Sequence, residues 1–211
     1  MKKEEKVINF YVICNRLKNV IRTGWKDWQV KKERIESVAE HIYGTQMLAL
    51  AVYSEYNYNI DIVRVIYMLA VHELGETVIG DYNPFDISKE EKIKIEHEAI
   101  HNILKKLSKG IEIENLLLEF DENNTPEAKF AYMCDKMECD IQCKLYDEAG
   151  CVDVNNPSVF NNLNEAEQSL VKAGQKWSEL WLNYDQEHCG YDENFTALSN
   201  YLLENDISDA E

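Results

Sequence analysis

Turn-forming residues are scarce in this chain, with 8 glycines and 3 prolines among 211 residues. So thin a supply argues against a many-stranded sandwich and favours long helices. Positive charge is short as well. Lys and Arg number 22 against 39 Asp and Glu, a net charge of −17, which argues against a surface for a nucleic-acid polymer, whose phosphates need compensating cations. A small phosphate compound stays open, because a few local cations or a metal ion can hold it. No segment reaches the roughly 18 apolar residues that a membrane span needs. The start, Met1-Lys2-Lys3-Glu4-Glu5-Lys6, leads only into a short, interrupted apolar run, which is not the pattern of a signal peptide. The six cysteines (Cys14, Cys134, Cys139, Cys143, Cys151 and Cys189) lack the dense spacing of a secreted disulfide framework. Cys139 and Cys143 read as small hydrophobes on a buried helix face, with a thiolate pair as the alternative, and the chain is expected to be cytoplasmic.

What is present is helical periodicity, with no repeat and no low-complexity linker, so a single all-α domain over 1–211 is expected. Its motif-bearing core lies at about 10–146 and further helices at 157–204. Residues 7–21 read as an amphipathic helix, followed by Arg22-Thr23-Gly24-Trp25. Trp25 and Trp28 read either as a lid folded onto the core or, with Arg22, as an indole and a guanidinium for a ligand. Ser37 and Glu40 form a capping box for a helix over 38–56 that carries His41 in its first turn. The sequence also predicts helices over 62–79, 89–107 (capped by Ser88), 112–122, 127–148, 162–187 and 195–203.

The third of these helices, 62–79, ends in His72-Glu73-Leu74-Gly75-Glu76, with His72 and Glu76 on one face and Glu73 beside them. One imidazole and two carboxylates at the end of an apolar helix are costly to bury unless a cation satisfies them. A divalent metal is one answer and simple solvent exposure the other. Asp135, beside the apolar stripe Phe130, Met133, Met137, Ile141 and Leu145, is either a ligand or an ordinary edge position. A competing pattern, His97-Glu98-Ala99-Ile100-His101, matches the zinc-peptidase H-E-x-x-H. Lysines mark its helix as solvent-facing, and no third ligand accompanies it, so the pattern reads as accidental.

In this order His41, His72 with its adjacent acid and Asp135 resemble the ligands of HD-domain metal phosphohydrolases. Arg22-Thr23-Gly24-Trp25, Glu36-Ser37-Val38-Ala39-Glu40-His41, Glu76, Gly80-Asp81, Lys89-Glu90-Glu91-Lys92 and Glu127-Ala128-Lys129-Phe130 narrow the likeness to the 5′-deoxynucleotidase branch. That resemblance implies a helical fold, a homodimer, and removal of phosphate from deoxynucleoside 5′-monophosphates. It implies that His41, His72, Glu73 and Asp135 hold a divalent cation (Mn, Co, Fe, Ni, Zn or Mg). Glu76 would orient or deprotonate the attacking water. Asp81 would assist near the leaving oxygen or at a second metal, with the Tyr82 carbonyl adjacent. Arg22, Trp25, His41 and Asp81 would line the substrate. One departure stands out: the family's His-Asp pair is His72-Glu73 here, one methylene longer. Alternatives within reach of the same residues are a nucleoside triphosphate or cyclic nucleotide as substrate, or a catalytically silent nucleotide-binding scaffold.

Overall fold

The computed structural model describes residues 1–81, 89–161 and 163–208. The Ser88 cap, the turn at Asn83-Pro84, the Tyr82 carbonyl and the side chains of Lys89 and Lys92 lie outside the described residues. Among those described there is no β-strand, only an isolated bridge between Ile21 and Ser37. The chain divides into two compact units: residues 1–24 with 36–132, and 25–35 with 133–211.

In the first unit, α1 (Lys3–Cys14) ends earlier than its periodicity predicts and tightens into a 3-10 turn at Asn15–Asn19. Then come α3 (Val38–Glu55), α4 (Ile62–Val71), the single turn α5 (Glu76–Ile79), α6 (Lys89–Leu104) and α7 (Gly110–Glu122). A five-residue helix, α2 (Thr23–Asp27), begins at the end of this unit's first segment. The capping box of α3 forms as expected, Ser37 N–H donating to Glu40 Oε2 at 2.9 Å. α3 packs on α4, α4 on α7, and α6 on both α5 and α7. Leu74, Ile100, Leu104 and Leu117 form a buried cluster, against which Phe10 and Cys14 of α1 rest.

The helix expected over 62–79 is broken. α4 stops at Val71, and residues 72–75 turn before α5 begins. Bonds of i→i−3 type, Leu74 N–H to Val71 O at 2.9 Å and Glu76 N–H to Glu73 O at 3.2 Å, replace the α-helical ladder. Gly75 is placed where α6 crosses closely: a Cβ there would lie 3.1 Å from Glu96 Cγ. Gly80 closes α5 at φ 79°.

α8 (Pro126–Glu148) starts with Pro at its first position, and Thr125 Oγ1 accepts from Ala128 N–H at 3.1 Å. The helix passes without interruption from one unit into the other, the division falling between Tyr132 and Met133. The second unit adds α9 (Pro157–Phe160), α10 (Glu165–Lys172), α11 (Trp177–His188) and α12 (Glu193–Glu204). Periodicity alone predicts one helix over 162–187. Gly174, at φ 94°, instead separates α10 from α11 in a left-handed conformation that interrupts any helix. Trp25, Val30, Cys143, Tyr146, Cys151 and Trp177 form this unit's core. Burial pushes the Cys143 thiol well above its ordinary pKa, as befits a small hydrophobe.

A polar pair is buried in the second unit. Asp140 of α8 accepts from the Tyr191 hydroxyl at 2.9 Å. Burial first, and the charge of Asp185 second, push its carboxyl up to about 8. Burial also raises Asp185. Because these folded pKa values lie above the roughly 3.9 of an unfolded Asp, the stability they confer is complete below about pH 4. It is lost as the pH climbs through about 8. Urea unfolding should therefore give a falling midpoint across that range, and Asp140→Asn should flatten the fall. Gly110 supplies a second check on the fold: a Cβ there would sit 1.9 Å from the Leu104 carbonyl oxygen, which is backbone. Gly110→Ala should cost about 1–3 kcal/mol by equilibrium unfolding.

Candidate metal centre

Three side chains of the first unit converge. His41 is fully buried in the first turn of α3. His72 caps the end of α4, and Glu73 follows it in the turn where the helix breaks. His72 Nε2 lies 3.4 Å from His41 Nε2. Glu73 Oε1 is 3.7 Å from His72 Nε2 and 3.9 Å from His41 Nε2. A triangle with these edges has a circumradius of about 2.1 Å, which is the bond length of a divalent cation to imidazole nitrogen or carboxylate oxygen.

The ring chemistry agrees. His72 Nδ1 meets the Leu69 carbonyl oxygen at 2.8 Å, so Nδ1 carries the proton and donates it. Nε2 is thereby left as a lone pair facing the other two atoms. This is how a ligating imidazole is ordinarily fixed by a partner behind it. Two neutral imidazoles and a carboxylate fit a divalent cation of the borderline or hard kind, and the absence of a thiolate among the three disfavours Cu(I).

Arg22 reaches the same carboxylate, its Nη1 3.4 Å from Glu73 Oε1. Its backbone is pinned twice over. Arg22 N–H donates to Glu36 O at 3.1 Å, and Val38 N–H donates to Val20 O at 2.8 Å, so the arginine is tied to the start of α3. Asp81 closes the other side. Its carboxylate accepts from Thr23 N–H at 2.6 Å, and Thr23 Oγ1 donates to Asp81 O at 2.6 Å. Thr23 thus fastens the segment after α5 to the residue next to Arg22, a role that the sequence reading missed. A threonine beginning a short helix, with a lone aspartate beyond a glycine, was the available signal.

Glu76 is 3% exposed at the first position of α5, three residues beyond Glu73. The two remaining site candidates belong to the second unit. Asp135 is buried on α8, with Lys136 Nζ 2.9 Å from its Oδ2. Trp25 is 2% exposed in the aromatic core, its ring centroid 5.4 Å from Tyr146 and 6.1 Å from Trp177. That placement follows the core-packing alternative for the indole.

His97 and His101 do not act together. His97 Nε2 pairs with Asp121 at 2.7 Å and His101 Nδ1 with Glu114 at 3.1 Å. Their side chains are 35% and 56% exposed, respectively. These are contacts between α6 and α7 at the surface, and among the described residues this pair joins no group arranged to hold a metal.

Helical fold and donor set together define a class, and residues 14–177 match the model of the HD domain, so the chain belongs to the HD-domain family. It is similar to the 5′-deoxynucleotidase HDDC2 of Dictyostelium discoideum, with 37% identity over 149 residues, 67% of this chain and 77% of that protein. The 5′-deoxynucleotidase HDDC2 of Danio rerio is 34% identical over 147 residues, covering 68% of this chain and 71% of its own. The 5′-deoxynucleotidase hdd1 of Schizosaccharomyces pombe is 33% identical over 148 residues, covering 67% and 72%. Among solved structures, the fold resembles a predicted metal-dependent phosphohydrolase from Magnetospirillum magnetotacticum. The TM-score is 0.66 at 20% identity, covering 96% of this chain and 91% of that one.

If the triangle is a metal site, calorimetric titration with Mn²⁺ or Zn²⁺ should show one site that His72→Ala abolishes. Losing the ligand should weaken binding by more than the roughly 10- to 100-fold that loss of an outer partner costs. Undiminished affinity in that variant would place the metal elsewhere.

Proposed function

We propose that the chain is a metal-dependent phosphohydrolase that removes the 5′-phosphate of deoxynucleoside monophosphates. The observation that carries this reading is the triangle of His41, His72 and Glu73, set beside an arginine. Similarity to 5′-deoxynucleotidases across two-thirds of the chain supplies the substrate class. Asp135 is proposed as the fourth ligand. It is a buried carboxylate within the matched residues and stands in the family's ligand order. A divalent cation bound here supplies Lewis acidity and draws the pKa of water down towards roughly 7. Its identity is proposed to fall among Mn, Co, Fe, Ni, Zn and Mg.

The protein's own groups would do the rest. Glu76, buried at the start of α5, takes the proton of the attacking water. As the water oxygen bonds to phosphorus, the bond to O5′ breaks and the proton passes to that oxygen, near which Asp81 acts. Arg22, held by the bridge to Glu36 and by the Thr23–Asp81 clasp, pairs with the phosphate. His41 faces both metal and substrate. For Trp25, burial supports a part in the core of the second unit in preference to direct contact with the sugar.

We also propose that the enzyme works as a cytoplasmic homodimer. Tyr43, Met47, Leu50 and Tyr53 lie exposed along one stripe of α3, an apolar face that a second copy would cover. No helix among the described residues is long and apolar enough to cross a membrane.

The test is a grid of metals against dAMP, dGMP, TMP, dCMP, dATP and cAMP, read as phosphate release, with elemental analysis of the purified protein. Monophosphates alone should be hydrolysed. Glu76→Gln should lower kcat by about 10²- to 10⁴-fold with metal content unchanged. Turnover with no metal in the grid, or preference for dATP or cAMP, would overturn the assignment.

A further inference from the structure

The second unit holds a cavity that the phosphohydrolase reading leaves unused. It measures about 250 Å³ and is lined by Trp28, Glu167, Leu180, Trp181, Tyr184 and Asp185. We propose that this cavity is a binding site for a small organic cation, an ammonium group carrying apolar substituents.

Three of its six walls are aromatic. Trp28 and Trp181 stand with ring centroids 6.4 Å apart and planes inclined at 58°, forming a corner instead of a stack. Tyr184, one turn beyond Trp181, is braced by His188. The two rings lie 4.1 Å apart and nearly parallel, and His188 Nδ1 donates to Tyr184 O at 2.7 Å. Leu180 supplies an apolar floor from the cluster it forms with Leu163 and Val171. Three aromatic rings lining one small cavity beside a carboxylate supply the polarisable walls that attract an alkylated cation.

The two polar walls are both acids. Glu167 Oε2 accepts from Asn164 N–H at 2.8 Å in the capping box of α10, which fixes where its charge stands. Asp185 is 8% exposed and places a second carboxyl on the same wall. The Glu167 carboxylate on so small a cavity repels a phosphate, which separates this site from the nucleotide chemistry proposed above. A neutral aromatic ligand would fill the walls but gain nothing from the acids. A bare inorganic cation would use the acids and waste the rings. An alkylated ammonium uses both, and 250 Å³ admits a group of only a few carbons.

All four tryptophans of the chain, Trp25, Trp28, Trp177 and Trp181, fall in the second unit, so intrinsic fluorescence reports directly on this region. The full-length protein is titrated with choline, with its uncharged carbon isostere 3,3-dimethylbutan-1-ol, and with adenosine. Choline should change the emission saturably, and the isostere should bind about 10-fold more weakly, the share that the charge contributes. Glu167→Gln keeps the capping box, since Gln serves there as Glu does, but removes the charge. It should weaken choline about 5- to 10-fold and leave the isostere unmoved. Tyr184→Ala should weaken both, with a far-ultraviolet spectrum and melting curve to establish that the variant folds. If it does not fold, Glu167→Gln alone decides. Equal binding of choline and its isostere, tighter binding of adenosine, or no saturable change up to about 100 mM choline would each overturn the proposal. Because phosphate release depends on the other site, dAMP hydrolysis should survive Glu167→Gln. The two readings therefore stand or fall separately.

Discussion

The phosphohydrolase reading of this molecule rests on three donor atoms held within 3.4–3.9 Å of one another in the first unit. In water such a cluster would disperse, and in a folded interior it is unfavourable without a proton or a cation among its members. What holds it is local. The capping box sets the first turn of α3 and therefore His41. The Leu69 carbonyl orients the His72 ring. The break after Val71 swings Glu73 to the same side. Had the helix run on through Glu76, successive residues would have been fanned about 100° apart, and His72 and Glu73 could not both present their ends to one point so readily. The interruption of α4 is thus part of the site.

Glu73 stands where the family carries aspartate, and its extra methylene has a visible use. The same Oε1 that approaches both imidazoles also lies 3.4 Å from Arg22 Nη1. One oxygen therefore faces two nitrogen lone pairs and a guanidinium. A cation held here would compete with the arginine for that oxygen's electron density and, on the function proposed above, would leave the guanidinium available to phosphate. A shorter acid would reach one or the other less easily. The substitution need not impair the site, because the added length is matched by an arginine whose backbone is fixed on two sides.

Much of this was legible from residue order. Ser37 and Glu40 announce a cap, and Thr125 and Pro126 announce the start of α8. The failures have physical causes. Periodicity is blind to a helix that breaks while its apolar residues stay in phase, as between Val71 and Glu76. It is equally blind to the left-handed glycine at 174, which ends α10 without any shift in composition. The division into two units could not be found because the chain crosses between them inside α2 and again inside α8, where neither linker nor turn marks the passage. The clasp between Thr23 and Asp81 joins residues 58 apart in sequence, a pairing that no local rule reports.

The two histidine pairs of this chain show why a pattern of residue types is weak until burial is known. His97 and His101 have the spacing expected of zinc ligands on a helix, yet each ring meets its own acid on α7, in water. Such contacts contribute little to stability, and nothing forces the two rings toward a common point. His41 and His72 have no sequence spacing in common, yet their Nε2 atoms meet at 3.4 Å, one ring fully buried and the other nearly so. Desolvation makes the difference. A ring at the surface can satisfy both nitrogens with solvent, whereas one inside the protein must be oriented by specific partners, and that orientation is what makes a lone pair available to a metal.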